Sequence, residues 1–560
     1  MRGRIGMRNA GDMVPGIVFW SVAVFLSLWW LGARELWGSE DRWAEVVREM
    51  RMTGDYLHPS INGEPYFDKP LLSYWLIALA AGATGRLDEW TVRLPSAVAG
   101  LAVLWATMNL GRRLWPGRHA RTAGWILLST YGFLFWARTG EADMENLATV
   151  ILAVAWYWAR RDKPGFVSYA VFYAICFIGA QAKGMAAIAV PMLVILPDLI
   201  RQNRWKAHVS VSHGLALALG LLLYLSPLLW ADLTRGEYRA SGLGMAFREN
   251  VVRYFRPFDH KEPFYVYFLY LPELFFPWTP LLVAAVWAAW TFRKELDWPT
   301  KWLAIAVTLI FLFFTLSGSR RSYYMLPILP FCALLASLYF TTERADQPRL
   351  LTARIQTTLL VAVFAFEILS PAIWPVVRHQ TGFDVSKEFA AGTVLLGLMG
   401  LVPLAVDRFR PGSIMRVTGS EKVLAPLVGM AVIMVGGFLA WQYQVVDGYR
   451  TMRAFCTKLK GQLIDSRAEM AYFRKFPYEI LFYLDSPEWM RPIQNAGELA
   501  SFLNSGAETR VLIWRGEYHQ ELADALPAGT VIQPTLKERI HPWEHESKKY
   551  AACILRGDKE

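Results

Sequence analysis

The chain has 560 residues, 54% of them hydrophobic and 19% charged, with 25 tryptophans and a net charge of +11. That composition excludes an ordinary soluble domain, and four cysteines without a C-x-x-C pair exclude a zinc ribbon or a disulfide scaffold. The positive balance is not a nucleic-acid signature, because the basic residues sit in short loops between apolar runs, where they orient membrane spans.

The basic amino terminus precedes the apolar run 14–33, which is longer than a signal-peptide core and lacks a small-x-small cleavage site, so it reads as a retained first span starting inside. The loop 34–93 then faces outward and is expected to carry amphipathic helices. In "DRWAEVVREM", Trp43, Val46, Val47 and Met50 share one face, with Glu40 and Asp41 at the amino-terminal end. Residues 71–85 are short and glycine-broken and are expected to lie along the surface or dip in without crossing. The second span falls in "WTVRLPSAVAGLAVLWATMNL".

Further spans are expected near 122–137, 144–159, 166–182, 185–200, 209–230, 265–292, 302–316, 325–341, 355–377, 389–406 and 423–443. The fold class is thus an α-helical polytopic membrane protein of about thirteen transmembrane helices, amino terminus inside and carboxyl terminus outside. Residues 1–446 form the membrane domain and 447–560 a small outer α/β domain. In the latter, the β-like runs "EMAYF", "TRVLIW", "TVIQP" and "YAACIL" alternate with the helical patterns "AGELASFLN" and "YHQELADAL". Cys456 and Cys553 there are either a disulfide or two buried thiols.

This topology puts cations on the face where they are usually scarce. Lys183 in "AQAKGMAA" and the pair Arg320 and Arg321 in "LSGSRRSYYMLP" sit at the mouths of apolar spans, which points to a bound anion. A phosphate carried on a lipid fits, since arginine forks match phosphate oxygens and the neighbouring apolar groove takes the tail. Tyr323 and Tyr324 suit such an interface, and a belt contacting ordinary headgroups is the competing reading.

Acids share that face: Glu40 with Asp41, Asp68, and Asp143 with Glu145. A carboxylate beside a lipid phosphate can take a proton from an acceptor hydroxyl while the phosphate leaves, and Lys69 can answer the charge that builds on it. The alternatives are helix capping for Glu40 and Asp41, and an ion pair with Asp68 or snorkelling for Lys69. There is no D-x-D motif for a metal-bound nucleotide sugar, no Walker loop, no G-x-S-x-G and no H-E-x-x-H. A nucleotide-independent, lipid-linked donor is the natural choice; no cofactor is assigned, and a divalent metal stays open.

The stretch "WGSEDRWAEVVREMRMTGDYLHPSINGEPYFDKPLLSYW" resembles the first outer loop of the aminoarabinose lipid A transferases, in the protein-mannosyltransferase-like branch of the C-type glycosyltransferases. The similarity continues through "RLPSAVAG", "ADMENL", "QAKGMAAIAVP", "ENVVRYFRPFDHKEPFYVYFLYLPELFFPWTP" and "SGSRRSYYMLPILP", covering most of 37–335. It implies a multi-pass protein of the bacterial inner membrane with its active site and carboxyl-terminal α/β domain in the periplasm. Its partners are a polyprenyl-phosphate-linked sugar, a lipid or protein acceptor and membrane lipids. The activity implied is transfer of the sugar to lipid A or a related glycolipid; a protein acceptor and a lipid-linked sugar flippase are the alternatives. The resemblance further implies an acid of the first loop as base, read as Glu40 with Asp41 as runner-up, Ser39 standing where the family's first acid stands. Lys69 lies near the donor phosphate, Asp143 is a second acid, Arg253 and Tyr324 are donor-side contacts, and Lys183 and His260 share the site.

Overall fold

The computed structural model describes residues 10–36, 38–115, 119–203, 208–234, 236–252, 261–341, 346–381, 386–409, 421–443, 450, 452–463, 468–527, 529–539 and 545–556. The chain is a helical, multi-pass membrane protein. Among the described residues seven helices are long and apolar enough to cross a membrane. The number becomes eight if Phe264–Leu274 and Thr279–Thr291, bent by 116° at their break, count as one broken span. The single span expected over 265–292 is therefore two helices.

Other expected spans fall on shorter or interrupted helices. The segment 122–137 is split between α5 (His119–Leu128) and α6 (Tyr131–Trp136). Helix α7 (Asp143–Arg160) carries Asp143, Glu145 and Arg160, and α8 (Phe166–Ala182) and α9 (Ala186–Gln202) have 17 residues each, α9 with Pro191 and Pro197 inside it. Basic clusters and hydropathy mark such helices; they do not show where each one bends.

Three local features set the geometry of the loop after the first helix. After α1 (Ala10–Leu28), α2 (Glu40–Thr53) buries the face expected from its spacing, including Trp43, Val46, Val47 and Met50, and ends on Gly54 in the left-handed region at φ 74°. The hairpin of β1 (Ser60–Ile61) and β2 (Glu64–Pro65) turns through Asn62 and Gly63, and the buried Glu49 accepts from Ser60 Oγ at 2.6 Å, Gly63 N at 3.3 Å and the Asn62 amide. α3 (Leu72–Thr84) then leads to α4 (Glu89–Leu114), which opens with a capping box: Thr91 N donates to Asp88 Oδ1 at 2.9 Å and Asp88 N to Thr91 Oγ1 at 2.7 Å.

The carboxyl-terminal residues form a mixed five-stranded sheet in the order β4-β3-β5-β7-β6. β3 (Glu469–Phe473) runs parallel to β4 (Arg491–Ile493) and β5 (Thr509–Arg515), and β7 (Tyr550–Arg556) runs antiparallel to β5 and β6 (Leu536–Lys537). Three of the expected strands are strands, whereas "TVIQP" is not, its place being taken by β6 a few residues later. Cys456 and Cys553 are free, buried thiols. The sheet region docks on the loop between α1 and α3 through Asn62, whose side chain exchanges hydrogen bonds with the Met490 main chain (2.8 and 2.6 Å), and through Arg48, which donates to Ser486 O at 2.9 Å.

Candidate active site

Four stretches far apart in sequence converge on one cavity of about 650 Å³. Lys69 enters from the loop after β2, Asp143 from the first turn of α7, Lys183 from the residue that caps α8, and Tyr323 and Tyr324 from the 3-10 turn Ser322–Ile328. The close packing of α7 on α8 sets the central pair: Gly179 lies against Thr149 and Ala187, with no room for a side chain, so Lys183 at the end of α8 reaches Asp143 in an ion pair. The Lys183 ammonium also lies 4.5 Å from the Tyr323 ring centre and 5.8 Å from that of Tyr324. Asp143 is buried, and its Oδ2 has no hydrogen-bond partner among the described residues.

Elsewhere in the lining, Lys69 Nζ sits 2.9 Å from Asp68 Oδ2 and 3.4 Å from Glu249 Oε2. The expected Asp68–Lys69 ion pair is present, yet both residues still line the cavity. Burial works to raise the Asp68 pKa, but Lys69, Arg42 and Arg248 hold it below the ordinary carboxylate value. Glu141 lines the cavity and accepts a 2.7 Å bond from the Ser39 hydroxyl; burial, reinforced by Asp143, pushes its pKa up. Phe313, Phe314, Ala186, Ala189, Leu326 and Pro327 add apolar surface to the lining. The cavity thus combines cations and carboxylates with apolar side chains, a lining that suits an amphiphile with a charged head.

Lys69, Asp143, Lys183 and Tyr324 of the expected residues line this cavity. Glu40 does not. Its carboxylate is fully buried and bonded to Arg93 through both oxygens (2.7 and 2.8 Å) and to Gly140 N at 2.6 Å, with Arg34 at 3.7 Å. Burial opposes its charge, but Arg93 and Arg34 overcome it and hold the pKa at about 2, and the carboxylate ties the loop to α4. Asp41 is buried away from the cavity, accepting from Arg42 N at 2.7 Å, with burial lifting its pKa to about 7. Arg320 and Arg321 are also turned aside. Arg320 donates to Glu262 O at 2.6 Å and Thr315 O at 3.0 Å, and Arg321 lies 4.0 Å from the Glu262 carboxylate. Arg253 and His260 lie outside the described residues.

Sequence reasoning passed over Arg42, Tyr66, Glu141, Glu249 and Asn250, all of which line the cavity. Glu141 stands two residues before Asp143, in the same loop, and could have been found there. Asn250 accepts from Met185 N at 2.7 Å and so braces the turn after Lys183, a tertiary contact that no local pattern signals.

Fold and site together define a multi-pass membrane protein that encloses a cavity lined by cations, carboxylates and apolar side chains. Residues 68–230 match the family described as dolichyl-phosphate-mannose-protein mannosyltransferase. An undecaprenyl phosphate-alpha-4-amino-4-deoxy-L-arabinose arabinosyl transferase of Pseudomonas aeruginosa (strain LESB58) is 32% identical over 305 residues, 53% of this chain and 54% of that one. The enzyme of the same name from Aeromonas salmonicida (strain A449) is 27% identical over 544 residues, covering 87% and 94%. The chain spans about half the length of the first of these relatives. A crystal structure of ArnT from Cupriavidus metallidurans bound to undecaprenyl phosphate superposes with a TM-score of 0.74 at 18% identity, covering 97% of this chain and 98% of that one. The resemblance to the aminoarabinose lipid A transferases, read first from the loop motifs, is thus shown by sequence relatives and by fold.

Proposed function

We propose that the chain is a glycosyltransferase that moves a sugar from a polyprenyl-phosphate-linked donor to an envelope acceptor at the periplasmic face of a bacterial inner membrane, the acceptor being lipid A or a related glycolipid. The observation that carries this reading is the convergence of Lys69, Lys183, Asp143 and Tyr324 on one cavity whose lining also includes the apolar side chains of Phe313 and Phe314. In this reading the donor phosphate lies by Lys69 and Tyr324, its tail along Phe313 and Phe314. The bond from the sugar's anomeric carbon to phosphate oxygen breaks, and an acceptor hydroxyl oxygen bonds to that carbon. The acceptor's proton passes to Asp143 Oδ2, while Lys183 fixes the other oxygen of that carboxylate; Lys69 meets the charge left on the phosphate. Arg253 and His260 belong to the donor's side in the same proposal. It also includes thirteen spans with the amino terminus inside, and residues 1–446 and 447–560 as membrane and periplasmic domains.

A protein acceptor is the second reading, favoured by the mannosyltransferase family that matches 68–230. Mass spectrometry of envelope lipids and proteins from a deletion strain, complemented with the parent or with Lys69→Ala, separates the two. The proposal expects a lipid that loses one sugar mass on deletion and regains it only with the parent gene. Loss confined to envelope proteins would select the second reading, and no change in either would sink both.

A further inference from the structure

Behind the loop that carries Glu141 and Asp143 lies a second, much smaller pocket, lined by Trp30, Leu31, Arg34, Phe135, Arg138 and Tyr443 among others. We propose that this pocket binds a phosphate oxygen of an anionic membrane-lipid headgroup, clamped between the Arg34 and Arg138 guanidinium groups. The reason is an imbalance of buried charge. Arg138 is only 8% exposed, and its described hydrogen bond is the one it donates to Leu26 O at 2.7 Å. The charged groups that act on it are Arg34 and Arg93, both cations. Glu40, the nearby acid, is already gripped through both oxygens by Arg93. Arg34 donates through Nη2 to Arg138 O at 2.9 Å and Thr139 Oγ1 at 3.1 Å, but its buried Nη1 has no hydrogen-bond partner among the described residues. Burial first, and then Arg93 for Arg34 or Arg34 for Arg138, pulls both guanidinium groups down to about 10. Glu40, 3.7 Å from Arg34, answers part of its charge, but among the described residues no acid acts on Arg138, and an anionic oxygen between the two guanidinium groups answers the remainder.

The geometry is that of a receptor. The Arg34 guanidinium lies 5.5 Å from the Phe135 ring centre and 5.4 Å from that of Tyr443, two rings whose centres are 5.8 Å apart, so the aromatic cover is on one side and the other side is left for an anion. The pocket holds about 20 Å³, room for roughly one or two water-sized groups, so a phosphate oxygen enters while the rest of the headgroup stays outside. What stays outside has a surface to rest on. Trp29 and Trp30 stack at the end of the apolar helix α1 and are about half exposed, an interfacial aromatic pair of the kind that sits at headgroup depth. Trp30 holds a left-handed backbone, φ 53°, which a bulky side chain rarely adopts, and its side chain forms part of the rim.

The test uses the purified full chain in detergent, with native mass spectrometry counting retained phosphatidylglycerol or phosphatidylcholine, and thermal unfolding followed with each lipid or with inorganic phosphate. The parent protein is expected to retain phosphatidylglycerol in preference to phosphatidylcholine. Arg138→Gln and Arg34→Gln should each lower that retention about tenfold or more, the loss of a charge-assisted hydrogen bond, while Arg138→Lys keeps most of it and the exposed Arg51→Gln leaves it unchanged. Should Arg138→Gln not fold, Arg34→Gln against Arg51→Gln gives the same comparison. Equal retention of the two lipids, or retention that ignores both arginines, overturns the proposal. Inorganic phosphate that stabilises the protein as much as phosphatidylglycerol, and displaces it, overturns the lipid assignment in favour of a free-anion site.

Discussion

Glu40 and Arg93 show how a single buried pair decides what a loop can do. Neither side chain is exposed, and besides Glu40 the guanidinium donates to the main-chain oxygens of Leu31, Arg34 and Glu35, so the pair ties the end of α1 to α2 and α4. Glu40→Gln leaves a buried guanidinium without its counter-charge and is expected to cost about 3–5 kcal/mol in stability by chemical denaturation. The pH dependence has a definite sign. A carboxyl held at about 2 against an ordinary 4.5 contributes stability that is complete above 4.5 and is lost as pH falls through that window, so the gap between parent and Glu40→Gln should narrow from pH 4.5 toward 2. A gap that is constant across this range would show that the carboxylate is not ionised in the pair. The resemblance of its loop to the family's points to Glu40 as the base, with Ser39 standing where the family's first acid stands; its partner is 53 residues away, and no pattern local to the loop carries that fact. Lys69, Asp143 and Lys183 were legible for the opposite reason, since each is a charge at the edge of an apolar run and needs a partner there.

Among elements, the α7–α8 contact matters most for the site, because it sets the spacing between Asp143 and Lys183. A methyl group at position 179 would overlap Thr149 and press on Ala187, so the helices would have to separate. Gly179→Ala is therefore expected to lower stability by about 1–3 kcal/mol and to reduce transfer more than an equally destabilising change elsewhere, measured as activity of the folded fraction. Activity that simply tracks the folded fraction would mean the pair tolerates the shift. Element identity was largely readable: the amphipathic face of α2, most of the long apolar helices and three strands of the terminal sheet follow from hydrophobic period. The break inside 265–292 and the split of α5 from α6 were not, because Thr130 and the Phe275–Trp278 bend are fixed by tertiary packing, Tyr131 N donating to Phe276 O at 2.8 Å between them. β6 was missed for a related reason: its two residues are strand only because β7 supplies the partner.

At the scale of the molecule, the loop after α1, the ends of α7 and α8, and the turn at Tyr323–Tyr324 enclose a cavity that no one segment could form. Arg42 and Trp43 of α2 line it together with Ala186 and Ala189 of α9 and Phe313 and Phe314 of the helix Trp298–Leu316. The direct measurement is sugar transfer by the purified full-length protein, supplied with a polyprenyl-phosphate-linked sugar and an envelope-lipid extract as acceptor. Lys69→Ala and Asp143→Asn are each expected to slow transfer by about a hundredfold or more while the protein stays folded, with exposed Arg51→Gln at the parent rate. Transfer at the parent rate in both cavity variants would contradict the assignment of this cavity as the place where the sugar moves.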